Sequence, residues 1–155
     1  MESQRDVNEL EKLFDIAIKQ TNQPDLKTYA KITAIINSNN KYPKILIELI
    51  KNALIHHHSQ EVQFMILELI EFTTCRGTLV LHKEYNQKTF LKFINAIFNQ
   101  NNLCMFLKER TLELIVFWKY FFSSKEDILG NFNWYYKNIV NRGIDMPPFK
   151  PSPYL

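Results

Sequence analysis

The segment Glu61–Gly77 constrains this chain more than any other stretch. Val62, Met65, Ile66, Leu69, Ile70 and Thr73 fall on one helical stripe, while Phe64, Leu67 and Phe72 add apolar groups on other sides. A helix that is apolar around most of its circumference needs neighbours on several sides, so this one is expected at the centre of a helical stack. Ser59 is placed to cap its start, and Gly77 to end it in the left-handed conformation favoured after a helix C-terminus. Leu81-His82-Lys83-Glu84 then reads as a short linking helix over 78–85, and Lys88-Thr89-Phe90-Leu91 as the start of the next.

The flanking sequence continues the pattern. Asp6 and Glu9 have capping-box spacing ahead of Leu10, Leu13, Phe14, Ala17 and Ile18. Asp25 caps a second helix carrying Leu26, Tyr29, Ile32, Ile35 and Ile36, and Pro43 suits the first turn of a third that reaches His57. A sixth helix is expected over 87–100 and a seventh over 105–122, with Phe106, Leu107, Leu112, Leu114, Ile115 and Trp118 facing inward. An eighth begins near Ser123 or after Gly130 and runs to Gly143, carrying Phe132, Tyr135, Tyr136, Ile139 and Val140. No period-2 alternation occurs, so the fold class is all-α, and the short loops make successive helices antiparallel neighbours. With 155 residues and 46% apolar composition the chain supports one packed domain, expected over 1–146, with a Pro-rich extended tail over 147–155.

No constellation for covalent chemistry emerges: no Gly-rich phosphate loop, nucleophile elbow or paired acid and base is present. His56-His57-His58 are consecutive, and helical positions 100° apart do not converge on one ion, so no metal or other cofactor is expected. His82 is expected to bond a carbonyl of a neighbouring helix or loop. Cys75 and Cys104 lie in apolar helical patterns and read as buried reduced thiols. Glu109, Arg110, Glu113 and Lys119 read as a solvated helix face. A net charge of +3 permits contact with an acidic partner or, through Lys41, Lys44 and Lys51, weakly with acidic lipid; nucleic acid is not expected. No run is long and apolar enough to span a membrane. Trp134, Tyr135 and Tyr136 cannot all face inward on one helix, so at least one is exposed and marks a contact surface.

In order and spacing these residues resemble a VHS domain, a member of the ENTH/VHS superfamily of right-handed superhelices of about eight helices. The carrying features are Asp25, Pro43-Lys44, Glu61-Val62, Arg76-Gly77, Leu81 to Glu84, Lys88 to Leu91, Leu112 to Ile115 with Trp118, and Arg142-Gly143-Ile144 before Pro147. Epsin N-terminal and polymerase-tail-binding domains share that helix stack. The resemblance implies a non-catalytic protein-interaction module of vesicle and endosomal sorting, cytoplasmic and peripheral to endosomal or Golgi membranes. It implies ubiquitin recognition at Leu26 and Ala30, weak because the aromatic anchor usual at the first position is a leucine here. It also implies a sorting-signal peptide groove at Lys88, Lys92, Asn95, Phe98, Tyr136 and Ile139. The alternative is a structural scaffold subunit of a large assembly that uses the same stack as a spacer.

Overall fold

A computed structural model describes residues 2–19, 23–57 and 59–155, the side chains of Glu2 and Ser3 excepted. Among the described residues it contains nine α-helices, one 3-10 turn and no strand. The helices are α1 (Glu2–Lys19), α2 (Leu26–Ser38), α3 (Tyr42–His56), α4 (Gln60–Arg76), α5 (Leu79–Tyr85), α6 (Lys88–Phe98), α7 (Met105–Phe121), α8 (Glu126–Leu129) and α9 (Asn131–Asn141). The eighth expected helix is divided: a 3-10 turn at Ser123–Lys125 and the single turn of α8 precede α9.

Local chemistry sets several of these boundaries. The Asp25 carboxylate accepts the Thr28 N–H at 3.1 Å and the Thr28 hydroxyl at 2.8 Å, which holds its pKa below the ordinary carboxylate value. Ser59 Oγ accepts from Val62 N–H at 3.4 Å, and Pro43 occupies the first turn of α3. Asp6 is not a cap. The first helix already begins at Glu2, and the Asp6 carboxylate accepts the Tyr42 hydroxyl at 3.0 Å. Gly77 is not left-handed either: its φ of −84° and ψ of 178° are open to any residue. Close approach requires glycine there, because a Cβ would lie 2.5 Å from the Thr73 carbonyl oxygen and 2.8 Å from Leu81 Cδ2. Gly143, at φ +81°, is the left-handed glycine that turns the chain away from α9.

The central element is α4, which packs against α1, α2 and α7. Every residue from Met65 to Thr74 is buried. Because those ten residues cover all sides of the helix, their polar members need internal partners. Thr73 Oγ bonds the Leu69 carbonyl and the Tyr85 hydroxyl, each at 2.8 Å. Thr74 Oγ accepts from the Trp118 indole at 3.1 Å. Around Trp118 a chain of rings, Tyr85–Phe90, Trp118–Phe132 and Phe122–Phe132, carries the core from α5 and α6 to α9 with centroid spacings of 5.1, 4.8 and 4.7 Å. Two expectations fail at the start of α7. Phe106 is 65% exposed and stacks on Phe64 at the surface, and Cys104 is exposed in the N-cap position. Both lie at the rim of the stack, where the start of α4 covers one side only: Phe64 stacks on Phe106, and the Gln60 side chain accepts the Cys104 N–H at 2.8 Å.

Candidate functional site

Two surfaces hold the residues that sequence reasoning singled out. The first lies between α6 and α9. Helix α6 presents Lys88, Lys92 and Asn95 on its outer side while Phe90, Leu91, Ile94 and Ile97 are buried beneath. Helix α9 is positioned by Asn86, whose side chain accepts the Asn131 N–H at 3.0 Å and whose carbonyl accepts the Asn131 amide at 2.9 Å. That anchor sets Trp134, Tyr135 and Asn138 opposite Lys88, Leu91, Lys92 and Asn95, enclosing a cleft of about 170 Å³. A cleft this small is below the roughly 300 Å³ of small-molecule sites and accommodates one or two side chains.

The cleft is basic at its rim and aromatic along one wall. Lys88 Nζ lies 4.4 Å from the centroid of the Trp134 ring, and Trp134 is 46% exposed. Lys92 is exposed one turn further on. The Tyr135 hydroxyl donates to Asn95 Oδ1 at 3.0 Å, and burial raises its pKa well above the tyrosine norm, so it remains a donor. Arg142 reaches back from α9 to Asn95 and Asn99, at 3.4 and 3.2 Å. Phe98 is half-buried, with the Arg142 guanidinium 6.0 Å from its ring centroid. Tyr136 faces α7, where Lys119 Nζ lies 5.0 Å from its ring. Ile139 is fully buried in the core. Lys88, Lys92 and Asn95 therefore meet in the cleft, Phe98 adjoins its end, and Tyr136 and Ile139 face elsewhere. Trp134, Tyr135 and Asn138 complete the wall. The crowding of three aromatics on one helix was the available signal for the first two of these.

The second surface is on α2. Leu26 is 49% exposed and Ala30, one turn later, is also exposed, so the two form a small apolar spot on one helix face. Helix α2 packs on α1, α3 and α4, whereas α9 packs on α7 and α8, so the two surfaces occupy different parts of the stack.

Of the histidine triplet, His56 Nδ1 lies 2.9 Å from the Asn52 carbonyl, His57 is exposed, and His58 falls outside the described residues. His82 Nε2 lies 2.8 Å from the Thr74 carbonyl, as expected of a carbonyl-bonded histidine, with its ring against Phe121 and Phe122. Burial lowers its pKa, so the neutral ring donates through Nε2.

The solvated face expected around Arg110 is a correction. Arg110 is buried, its Nε bonding Glu68 and its terminal nitrogen lying 2.9 Å from Glu71. Burial opposes its charge, but the two carboxylates outweigh that and raise its pKa. Helical periodicity puts Arg110 on the α4 side of α7, and Glu68 and Glu71, which fall within the apolar stretch of α4, need a cation; that pairing was the overlooked signal.

The VHS domain family profile matches residues 4–143. The chain belongs to the VHS domain family. Its fold agrees with that assignment in three dimensions: a solved structure of the VHS and FYVE tandem domains of Hrs, a protein involved in membrane trafficking and signal transduction, superposes with a TM-score of 0.81 at 17% identity. The match covers 92% of this VHS chain and 64% of that chain. No curated protein matches the chain in sequence. Among the described residues, no helix of the VHS stack is long and apolar enough to cross a membrane.

Proposed function

We propose that this VHS domain is a non-catalytic recognition module of vesicle and endosomal sorting, working at the cytoplasmic face of endosomal or Golgi membranes, and that its α6–α9 cleft takes an acidic peptide with an apolar side chain. The observation that carries this reading is the pairing of Lys88 and Lys92 with the apolar floor at Leu91 and the exposed Trp134 ring. Two ammonium groups at a rim attract carboxylates, and an aromatic wall beside a small apolar seat receives a leucine-like side chain. One seated side chain and screened surface charges give affinity no tighter than micromolar. Leu26 and Ala30 support weak ubiquitin contact at a separate surface. The involvement of Hrs in membrane trafficking agrees with the sorting role.

The test is an isotope-labelled titration of the VHS domain with a short peptide of acidic residues followed by two leucines. Shifts at Lys88, Lys92 and the Trp134 indole are expected, and unlabelled ubiquitin shifts Leu26 and Ala30 instead. Silence at α6 and α9 at millimolar peptide rejects the cleft assignment. A scaffold role is supported by a different feature, the exposed Met105 and Phe106 at the start of α7. Co-purification with constant partners that protect those two side chains would favour it.

A further inference from the structure

The Pro-rich segment lies beyond residues 4–143, which match the family, and it is bound rather than merely attached. Pro148 to Leu155 forms no helix and runs along α4 and α7. The segment ends in a turn over residues 152–155, in which the Leu155 N–H bonds the Ser152 carbonyl at 3.5 Å and the Tyr154 N–H bonds Ser152 Oγ at 3.1 Å; Pro151 and Pro153 are exposed, Ser152 is buried and Tyr154 half-buried. The Ser152 hydroxyl donates to Glu71 Oε2 at 2.7 Å, and the Tyr154 hydroxyl donates to Glu68 Oε2. The Tyr154 ring lies 5.4 Å from that of Phe72, and Arg76 Nε donates to the Tyr154 carbonyl at 3.2 Å.

The charges of the groove explain why these hydroxyls matter. Glu68 and Glu71 are both buried and share one guanidinium, Arg110, so one negative charge is left over in a poorly solvated site. Two hydroxyl donors from the segment meet it, and Lys150 Nζ adds a cation at the rim, 3.8 Å from Glu113. A cleft of about 230 Å³ still separates the prolines from the two helices, so the segment does not fill its groove. Side chains make most of the polar contacts, and Pro148, Pro151 and Pro153 restrict the backbone in advance, which lowers the cost of docking.

We propose that the α4–α7 groove is a binding site for a proline-flanked peptide of a partner protein whose turn presents serine and tyrosine hydroxyls two residues apart, and that Pro148–Tyr154 occupies it in cis. Charge complementarity specifies the occupant: an acidic groove takes hydroxyl donors inside and a cation at its edge. The tethered copy competes at high effective concentration, so a partner gains entry only when it displaces that copy. This site is separate from the α6–α9 cleft.

The experiment uses the full chain and a fluorescent synthetic peptide with the sequence of residues 146–155, read by anisotropy. The double variant S152A/Y154F, whose own segment has lost both hydroxyls, is expected to bind the peptide roughly tenfold or more tighter than the natural chain does. A peptide carrying the same two changes is expected to lose roughly tenfold or more in affinity for that variant. Absence of saturable binding to the variant, or equal binding of both peptides, overturns the proposal. If circular dichroism finds the variant unfolded, a natural chain with a protease site inserted after Asp145, cut once folded, takes its place; the labelled peptide must then exchange for the cut segment, and failure to exchange overturns the proposal. Sedimentation reads the competing occupant: a concentration-dependent dimer lost in S152A/Y154F would assign the groove to a second copy and overturn the partner assignment.

Discussion

Arg110 sits between two glutamates that came out of water only because it came with them. Replacing it with alanine leaves Glu68 and Glu71 buried without their cation, which typically costs about 3–5 kcal/mol in a buried pair. Arg110→Ala is therefore expected to move the urea midpoint strongly downward with little change in slope, measured by circular dichroism. His82 makes a smaller, pH-dependent contribution. Its pKa in the folded chain is lowered from the ordinary 6.5 because burial disfavours the imidazolium. The unfolded chain thus binds a proton at higher pH than the folded one does. Stability from this group is complete above about pH 6.5 and is lost as the pH falls below it, with a slope of at most about 1.4 kcal/mol per pH unit. Thermal melts between pH 7.5 and 5.5 are expected to show a falling midpoint, and His82→Gln, which keeps a donor for the Thr74 carbonyl, to flatten it. A midpoint independent of pH in the natural chain would contradict this account.

Helix α9 shows how a residue from another element can anchor the start of a helix. It has no side-chain cap of its own at Gly130, and Asn86, at the turn between α5 and α6, supplies one from across the fold. Asn86→Ala is expected to cost about 1 kcal/mol, in the range of lost helix caps. Hydrogen exchange should locate the loss: α9 amides lose protection while α1 to α4 keep theirs. Contacts of this kind mark where sequence reading stops. Helix positions were legible because apolar spacing and caps are local: Asp25, Ser59 and Pro43 open α2, α4 and α3 as expected, and α4 is as buried as its composition demanded. The division of the last helix and the depth of Phe106 were not legible. Each depends on which neighbour a face meets, and a helical stripe does not name its neighbour. The glycine at 77 was read correctly as a stop but for the wrong cause, since a close approach to Leu81 leaves no trace in local propensity. In the cleft, Lys88, Lys92 and Asn95 share the outer face of α6 by periodicity alone, whereas the wall they meet on α9 is set by the Asn86 contact 45 residues away.

At the scale of the molecule, the helices form a rigid frame that displays separate surfaces with different chemistry: an apolar spot on α2, a basic and aromatic cleft between α6 and α9, and an acidic groove along α4 and α7. A net charge of +3 spread over such a frame steers little as a whole, so discrimination falls to the local charge of each surface. The basic cleft is the one whose ligand should respond most to salt. Lys88 and Lys92 are exposed, so their attraction for a peptide carboxylate is screened over a Debye length of about 8 Å at physiological ionic strength. Charge reversal in K88E/K92E converts attraction to repulsion without touching a buried residue. It is expected to leave the helical circular dichroism and melting midpoint nearly unchanged, to weaken an acidic dileucine peptide by roughly tenfold or more, and to remove most of the salt dependence of its binding. Titrations of both proteins at low and high salt check this. Retained affinity with retained salt dependence would place the acidic ligand on another face, whereas loss confined to the reversed cleft, with the ubiquitin contact proposed at Leu26 unaltered, would show that the frame keeps its surfaces energetically independent.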